Sequence, residues 1–512
     1  MIHSIPVCSA LAFCFAIHYT AQAQAPDLDP AFATDGLMVL PDGGLAEFNN
    51  AMDHMPNGDL LLTGSAWDVV VYAPLVGALP VWRVAPNGSM VSGWGTNGLV
   101  SIDLPDSREE GQKIIAQPDG KVVIGGIRWR ADSTQLMFTR LLPNGTLDPT
   151  FGTGGFTLLS GIVPNWPGGI PELKGLKELL MDGNGNYIAV GTAPDVGNGH
   201  GYVLRLTPAG VLDNTFGTGG VFNYSNSTEE RFFGAALLPD GSILCAGVHD
   251  NMDNLWVKLT TSGTLDATFG TNGVQISPSA NTRGIGSFVR TANGDLYATC
   301  YTTTVPAKRV VKFDPSGAVD ITFGTDGEVL FSALVLAVSL DAQERVLAWG
   351  RDPSGFHFAY ILGSTGSTLD YWELYPGSYG APGANYRMWD FDLDNDGNYV
   401  LSGLGFEAGG VYDGWVARVL TTTTGIQDHS LASPLLVWPV PASGALHIAG
   451  TADSRYTVEI FDAQGRLVYQ QNGLPSMGNS TVTLAIEELT PGPHMLRMRT
   501  EDTVRTARFV KQ

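Results

Sequence analysis

The sequence predicts an all-β protein, a seven-bladed β-propeller closed by an N-terminal strand and followed by a small C-terminal β-sandwich. The first observation behind this fold class is a heptapeptide that returns seven times, with successive starts 50 to 65 residues apart. It carries a mostly hydrophobic centre and is usually bounded by glycines. A module of this length cannot bury its own apolar face, so we expect the modules to pack side by side. The heptapeptides begin at Gly58, Gly120, Gly185, Gly241, Gly294, Glu344 and Gly397.

The fourth module shows how each repeat is built. Hydrophobic segments at 232–238, 243–246, 255–259 and 274–276 are separated by short segments rich in glycine and polar residues. Four short strands per repeat, with no sustained amphipathic helix, are typical of an antiparallel propeller blade.

The second observation is an aromatic residue followed by Gly-Thr-x-Gly between the third and fourth strands. This pattern starts at Phe151, Phe216, Phe269 and Phe323, and Trp94 starts a variant of it. Its last two residues tolerate positive φ, as the centre of a tight hairpin turn requires. We expect the aromatic side chain to fill the blade core, because exposed platforms are rarely copied into every module.

The third observation concerns the two ends of the repeat region. Module seven, which ends near 420, is followed by no aromatic-Gly-Thr-x-Gly pattern, whereas a related segment at 28–40 precedes module one. If the ring closes, this N-terminal segment completes the seventh blade and covers two free sheet edges. A linear solenoid gives no reason to split one repeat in this way. Rings of six or eight blades remain alternatives.

The chain ends define the remaining boundaries. Residues 1–25 contain an apolar stretch followed by small residues, which predicts a secretory signal peptide too short to span a membrane. The propeller is expected at 26–420, a threonine-rich linker at 421–434 and a C-terminal domain at 435–512. The net charge of -22 argues against nucleic acid and anionic lipid as partners, and we expect a monomer.

The repeats resemble the delta-60 repeat family. The resemblance rests on LDPTFGTGG at 147–155, LDNTFGTGG at 212–220 and LDATFGTNG at 265–273, each preceded by a glycine-containing turn. It covers roughly 28–420 and implies a propeller of the kind found in bacterial secreted and surface proteins, without a common activity. Module six departs from the pattern at 369–372, where an irregular blade or an insertion is expected.

The C-terminal region resembles the sorting domain of type IX secretion substrates of Bacteroidota. The matching segments are WPVPASGALHI from Trp438, VEIFDAQGRLVY from Val458 and LTPGPHMLRM from Leu489. The resemblance implies the type IX secretion machinery as a partner. It also implies passage through the periplasm, followed by secretion or attachment to the outer-membrane surface.

No catalytic residues are predicted, because no zinc-binding histidine pair, nucleophile elbow or Walker loop occurs in the sequence. The segment 392–397 offers a candidate calcium site through Asp392, Asp394 and Asp396, which place oxygens on alternate residues. Position twelve of that loop is Gly403 rather than glutamate, so an acidic turn is the alternative.

A cation recurs on the predicted third strand of six modules. One interpretation is a ring of cations around the channel that attracts an anionic ligand. The other is a salt bridge within each blade to the aspartate of the LDxTF segment, such as Asp148 or Asp213. Module one has Val91 in place of that aspartate. The six cations are Arg83, Arg140, Arg205, Lys258, Lys312 and Arg418.

The leading functional prediction is a non-catalytic scaffold that binds a protein or glycan through irregular loops on one face. The alternative is an extracellular hydrolase or lyase that acts on polysaccharide. Aromatic residues in the loops could contact the ligand or serve local packing, and they are Trp166, Tyr371, Trp372, Tyr375 and Tyr379. Cys245 and Cys300 are expected to be buried thiols, with a disulfide as the alternative.

Overall fold

The structure is a computed structural model of the chain. It describes residues 28–34, 36–41, 46–67, 77–162, 175–195, 198–225, 229–250, 253–277, 282–302, 309–331, 334–341, 343–351, 357–374, 387–406, 412–420, 436–438, 442–449, 456–462, 466–474, 481–499 and 504–511. The predicted signal peptide and linker lie outside these residues. Two compact units fall within Gln24–Thr422 and Thr423–Gln512. All elements in the described residues are strands, so the all-β prediction is confirmed.

The larger unit contains seven four-stranded antiparallel groups, here called blades one to seven; five are separate sheets, and the first two are joined into one eight-stranded sheet by a single parallel residue pair, Gly77 with Arg108. Blade one consists of β2 (Ala46–His54), β3 (Leu60–Trp67), β4 (Gly77–Val84) and β5 (Leu99–Ile102). Blade two consists of β6 (Arg108–Ala116), β7 (Val122–Trp129), β8 (Thr134–Leu141) and β9 (Phe156–Ser160). Blade three consists of β10 (Gly175–Met181), β11 (Tyr187–Asp195), β12 (Asn198–Leu206) and β13 (Val221–Tyr224).

The next three blades have the same order of strands. Blade four consists of β14 (Glu230–Leu237), β15 (Ile243–His249), β16 (Asp253–Leu259) and β17 (Val274–Ser277). Blade five consists of β18 (Thr282–Arg290), β19 (Leu296–Thr302), β20 (Arg309–Phe313) and β21 (Glu328–Leu330). Blade six consists of β22 (Leu334–Leu340), β23 (Val346–Arg351), β24 (His357–Leu362) and β25 (Thr368–Leu374).

Blade seven joins the two ends of the repeat region. It consists of β26 (Arg387–Leu393), β27 (Tyr399–Phe406), β28 (Tyr412–Val419) and, as its fourth strand, β1 (Leu37–Val39). The strand β1 pairs antiparallel with β28, with Met38 opposite Val416. Blade one packs on blade seven around Met52 and Trp82, which share a buried cluster with Val400 and Val416. The predicted closure by an N-terminal strand is therefore confirmed.

Each heptapeptide forms the second strand of its blade, and neighbouring blades cover both of its faces. In β7, the residues from Val122 to Arg128 are all buried. A strand buried on both faces has no polar side, which explains why the hydrophobic centre of the heptapeptide does not alternate with polar residues.

The aromatic-Gly-Thr-x-Gly pattern forms the predicted turn, and its aromatic side chain is buried. Phe151 and Phe216 are both fully buried, and Gly154 and Gly155 have φ of 62° and 97°. The aromatic side chain also contacts the next blade, because a Cβ on Gly210 would lie 2.7 Å from the Phe151 ring. The pattern therefore fills a blade and seals it against its neighbour. In blade six, β25 occupies 368–374, so the divergent residues form a fourth strand instead of the turn.

The smaller unit is the predicted β-sandwich. One sheet contains β29 (Leu436–Trp438), β30 (Ala445–Ala449) and β33 (Thr481–Ala485). The other contains β31 (Tyr456–Asp462), β32 (Leu467–Leu474), β34 (Gly492–Arg499) and β35 (Val504–Lys511). Both sheets contribute to one core, in which Ile448 and Leu484 of the first meet Val458 and Leu496 of the second.

Candidate functional site

A cavity of about 480 Å³ lies at the centre of the larger unit. First strands of blades two to seven line it, as expected for a propeller in which the first strand of every blade is innermost. Its charged lining residues are Lys113, Lys177, Glu178, Arg351 and Asp390. Its aromatic lining residues are Phe233, Phe288, Trp349, Phe391 and Trp389, and the Trp389 side chain is 44% exposed.

A β-bulge in every first strand produces this lining. Opposite β7, for example, Gly111 pairs with Gly126 and Lys113 with Gly125, so Gln112 is an extra residue without a partner. The same shift occurs in all seven blades, eight residues before the start of each heptapeptide. Bulges re-aim side chains and are common beside functional sites. The extra residues, here called the bulge residues, are Asn50, Gln112, Lys177, Phe233, Gly286, Leu336 and Trp389.

The glycine that ends most heptapeptides makes room for the bulge. A Cβ on Gly126 would lie 1.9 Å from the carbonyl oxygen of Glu110, and one on Gly247 would lie 1.8 Å from that of Arg231. Only glycine permits this approach of two backbones. In blade five the position is Cys300, and there the register shifts twice along β18.

The bulge residues differ in chemistry from blade to blade. Four of them line the cavity, namely Lys177, Phe233, Leu336 and Trp389. Those of blades one and two instead bridge to the next blade: Asn50 donates from Nδ2 to the Gly111 carbonyl oxygen at 3.0 Å, and Gln112 accepts from the Leu176 amide at 2.9 Å. The residues that follow the bulge also line the cavity, including Lys113, Glu178 and Asp390.

Charged groups in the cavity are held by contacts between blades. Lys113 Nζ lies 3.7 Å from Glu178 Oε1, and this carboxylate is the main reason that the pKa of Lys113 is raised. Asp390 accepts from the amides of Met52 and Phe391, both at 2.9 Å. Burial nevertheless raises the pKa of Asp390 to about 6. The cavity therefore holds an acid that titrates near neutral pH beside a firmly charged lysine.

None of the six predicted channel cations is among the described residues that line this cavity. They lie on the third strands, two strands away from the central wall. The alternative of salt bridges is confirmed in blades two to five, for example between Arg140 Nε and Asp148 Oδ2 at 2.8 Å. The ion-pair distances in the other three blades are similar, at 2.7 Å for Arg205, 2.9 Å for Lys258 and 2.9 Å for Lys312.

The remaining two cations also pair with aspartates, Arg418 with the equivalent residue of the N-terminal segment and Arg83 with a different one. Arg418 pairs with Asp29 of the N-terminal segment at 2.5 Å. Arg83, which has Val91 in place of the usual aspartate, pairs with Asp59 at 2.7 Å. All four arginines among the six cations also donate to a turn carbonyl of the next blade, as Arg140 does to Pro208 at 2.6 Å. These contacts are together called the latch: the ion pairs lie within each blade, and the carbonyl contacts join neighbouring blades.

The candidate calcium ligands do not converge. No group of three carboxylate, histidine or cysteine side chains in the described residues is placed to hold a metal. Asp394 instead accepts from the amides of Asp396 and Asn398 at 2.9 and 2.8 Å, as Asp182 does in blade three. Asp392 approaches His54 at 3.7 Å, and burial raises its pKa to about 6. The segment is thus an acidic turn.

The predicted binding aromatics are only partly described. Trp166, Tyr375 and Tyr379 lie outside the described residues. Tyr371 and Trp372 lie within β25, opposite Tyr360 and Ala359, rather than in an irregular loop. The two thiols, Cys245 and Cys300, are buried and unbridged, and burial raises the pKa of both.

Comparison with known families agrees with both units. Residues 436–512 match the family described as a secretion system C-terminal sorting domain. Residues 117–151 and 183–216, which belong to blades two and three, match a β-propeller domain of unknown function, DUF5122. The sorting-domain prediction is confirmed, and such a domain directs export through the type IX system to the cell surface or the medium. No curated protein matches the chain. No helix in the described residues is long and apolar enough to cross a membrane.

Solved structures with a similar fold have very different sequences. A catalytically inactive virginiamycin B lyase from Staphylococcus aureus is 12% identical and covers 74% of this chain and 98% of its own, with a TM-score of 0.41. The polysaccharide lyase Uly1 is 10% identical and covers 78% of this chain and 94% of its own, with a TM-score of 0.43. Similarities this distant say nothing about activity.

Proposed function

We propose that this type IX secretion substrate, a β-propeller with a C-terminal sorting domain, is a non-catalytic protein that binds a protein or glycan ligand at its central cavity. The observation that carries the proposal is the variation of the bulge residues among blades that, except for blade six, share the buried aromatic and the ion pair of the latch. A single ligand on the axis of a ring needs different contacts from different blades. The bulge residues occupy the same position in every blade but differ in chemistry, so they can supply these different contacts.

The size and lining of the cavity support this proposal. A volume of about 480 Å³ lies within the range of about 300 to 1,000 Å³ that is usual for ligand pockets. A half-exposed indole such as Trp389, set among charged groups, offers a large contact area with little loss of side-chain freedom. Either a small ligand or the end of a larger chain would fit such a space.

The proposal can be tested with the full-length protein and a panel of glycans and peptides. We expect saturable binding of at least one panel member, measured by calorimetry, and at least about tenfold weaker binding by Trp389→Ala. The matched control is Leu330→Ala, which removes a 58% exposed side chain from the outer strand of blade five. An equal loss of affinity in both variants, or an affinity that Trp389→Ala leaves unchanged, would contradict the proposal.

A second candidate is the hydrolase or lyase acting on polysaccharide. It is favoured by one observation, namely that Asp390, with a pKa of about 6, shares the cavity with the carboxylate of Glu178. An acid that titrates near neutral pH could act as a general acid or base. Release of reducing or unsaturated ends from a polysaccharide panel, abolished in Asp390→Asn, would support catalysis. Binding of the same polysaccharide without any product would exclude it.

A further inference from the structure

The central cavity has two unlike walls. Blades two, three and seven provide the polar wall, formed by Lys113, Lys177, Glu178 and Asp390. Blades four to seven provide the apolar wall, formed mainly by Phe233, Phe288, Leu336, Trp349 and Trp389. Because the blades follow one another around a closed ring, the polar residues of blades two and three face the apolar residues of blades five and six, whereas Asp390 adjoins Trp389 on β26 of blade seven. Among the described lining residues, Arg351 of blade six adds a further cation beside the apolar wall.

The polar wall offers both donors and acceptors that are already positioned. In the contacts described above, each carboxylate oxygen of Asp390 accepts one backbone amide, and a carboxylate has roughly four acceptor sites. The Lys113 ammonium has three N–H groups and faces Glu178 at 3.7 Å. These groups keep hydrogen-bonding capacity for a ligand without having to reorganise.

The charged groups that line the cavity have both signs, with three cations and two carboxylates, so a ligand charge of either sign cannot satisfy all of them. An anion placed there would meet Glu178 and Asp390, and a cation would meet Lys113 and Lys177. A hydroxyl group both donates and accepts, so a neutral polyol satisfies both kinds of partner. Leaving any of these partly buried groups unpaired would weaken binding.

The apolar wall requires a second property of the same ligand. Its aromatic rings need an apolar surface opposite them, which a simple polyol or a water cluster does not provide. A hexose ring in the chair form has hydroxyls around its edge and C–H groups on its faces. A sugar ring therefore meets both walls at once, with its face on Trp389 and its hydroxyls towards Asp390 and Lys113.

We propose that the cavity binds a neutral hexose unit of an oligosaccharide. This inference rests on the proposed function and narrows its ligand from a protein or glycan to a glycan without charged groups. A folded protein partner is disfavoured by area, because stable protein interfaces bury about 800 Å² per partner and an internal cavity of this size offers less. The reducing or non-reducing end of a chain would enter along the axis.

The test uses the full-length protein with three sets of ligands: neutral oligosaccharides of glucose, galactose and mannose, the corresponding uronic-acid oligosaccharides, and a library of unrelated short peptides. We expect at least one neutral oligosaccharide to bind, with at least about tenfold loss in Trp389→Ala and in Lys113→Met. Trp389→Phe should retain part of the affinity, because it keeps an aromatic face. Leu330→Ala and Arg130→Met are the controls, since they change exposed side chains away from the cavity. Unchanged urea midpoints would show that all variants fold.

Each outcome has a defined meaning. Loss of neutral-sugar binding in both cavity variants, with unchanged controls, supports the inference. A peptide or uronic-acid ligand that binds better than every neutral sugar, and depends on Trp389, overturns the inference but leaves the proposed function intact. Binding that no cavity variant alters, or no binding at all, overturns both.

Discussion

The salt bridge between Asp29 and Arg418 tests whether the N-terminal segment closes the ring. Asp29 Oδ2 accepts from Arg418 Nε at 2.8 Å and from the second terminal nitrogen at 2.5 Å, and only 10% and 12% of the two side chains are exposed. Arg418 also donates to the Pro86 carbonyl of blade one at 2.6 Å and lies over the Phe32 ring. One guanidinium thus connects the last strand, the first segment and the first blade.

Replacing Asp29 with alanine should lower the free energy of unfolding substantially. Removing one partner of a buried ion pair typically costs about 3 to 5 kcal/mol, because the other charge stays buried without compensation. Asp394 lies 3.8 Å from Arg418 and would offset part of the loss, so we expect about 3 kcal/mol. Urea unfolding at constant slope provides the measurement.

Asp148→Ala is the matched comparison. Asp148 makes the equivalent contact with Arg140 inside blade two, where both partners belong to one uninterrupted repeat. In a closed ring both substitutions should have a similar cost. If Asp148→Ala lowers the urea midpoint and Asp29→Ala does not, the N-terminal segment is not docked and the closure argument is refuted.

Three other features make measurable predictions. Burial raises the pKa of Asp390 to about 6, so the protonated side chain stabilises the fold below about pH 4, and this contribution is lost as pH rises through 6. In urea unfolding, the free energy of unfolding of Asp390→Asn should rise by up to about 3 kcal/mol relative to that of the wild type between pH 4 and 7.5. A difference that stays constant with pH would contradict this. Gly219→Ala should lower the free energy of unfolding by about 1 kcal/mol, because of its positive φ alone. Gly220→Ala should lower it by about 3 kcal/mol, because the added Cβ would lie 2.4 Å from the side chain of Leu212. Equal unfolding midpoints of the two variants would disprove this difference. The thiols of Cys245 and Cys300 should react with a disulfide reagent only after unfolding, and rapid labelling of the native mature protein would show that they are accessible.

The repeated part of the fold could be predicted because the same local sequence pattern forms the same local structure in each repeat. The hydrophobic centre of the heptapeptide, the glycine-rich turn and the split seventh repeat each have one structural solution, and the structure has all three. The positions of the third-strand cations were also visible. The distance of these cations from the ring axis could not be predicted, because the spacing of the repeats does not say which strand of a blade is innermost. Arg140 therefore fitted a channel as well as a latch until its contact with Asp148 was known.

The central cavity was missed for a different reason. A search for repeated residue types passes over Lys177, Phe233 and Trp389, which share a position but no chemistry. The available signal was indirect: the glycine at the end of the heptapeptide leaves space for a bulge in the neighbouring strand, and the bulge residue lies eight positions before the heptapeptide. In the acidic segment at 392–397 the oxygens alternate in sequence, as in a calcium loop, but Asp394 accepts from turn amides, and this contact is not visible in the sequence.

A bulge residue is extra to the ladder of hydrogen bonds, so its side chain can change without altering strand register. Two neighbouring phenylalanines of blade four separate this role from packing. Phe232 is fully buried and stacks with Tyr224, whereas Phe233 is the bulge residue and lines the cavity. We expect Phe232→Ala to lower the free energy of unfolding by about 3 to 5 kcal/mol, and Phe233→Ala by about 1 kcal/mol or less. Urea unfolding compares them directly, and equal losses would mean that the bulge residues are part of the core and not free to vary with the ligand.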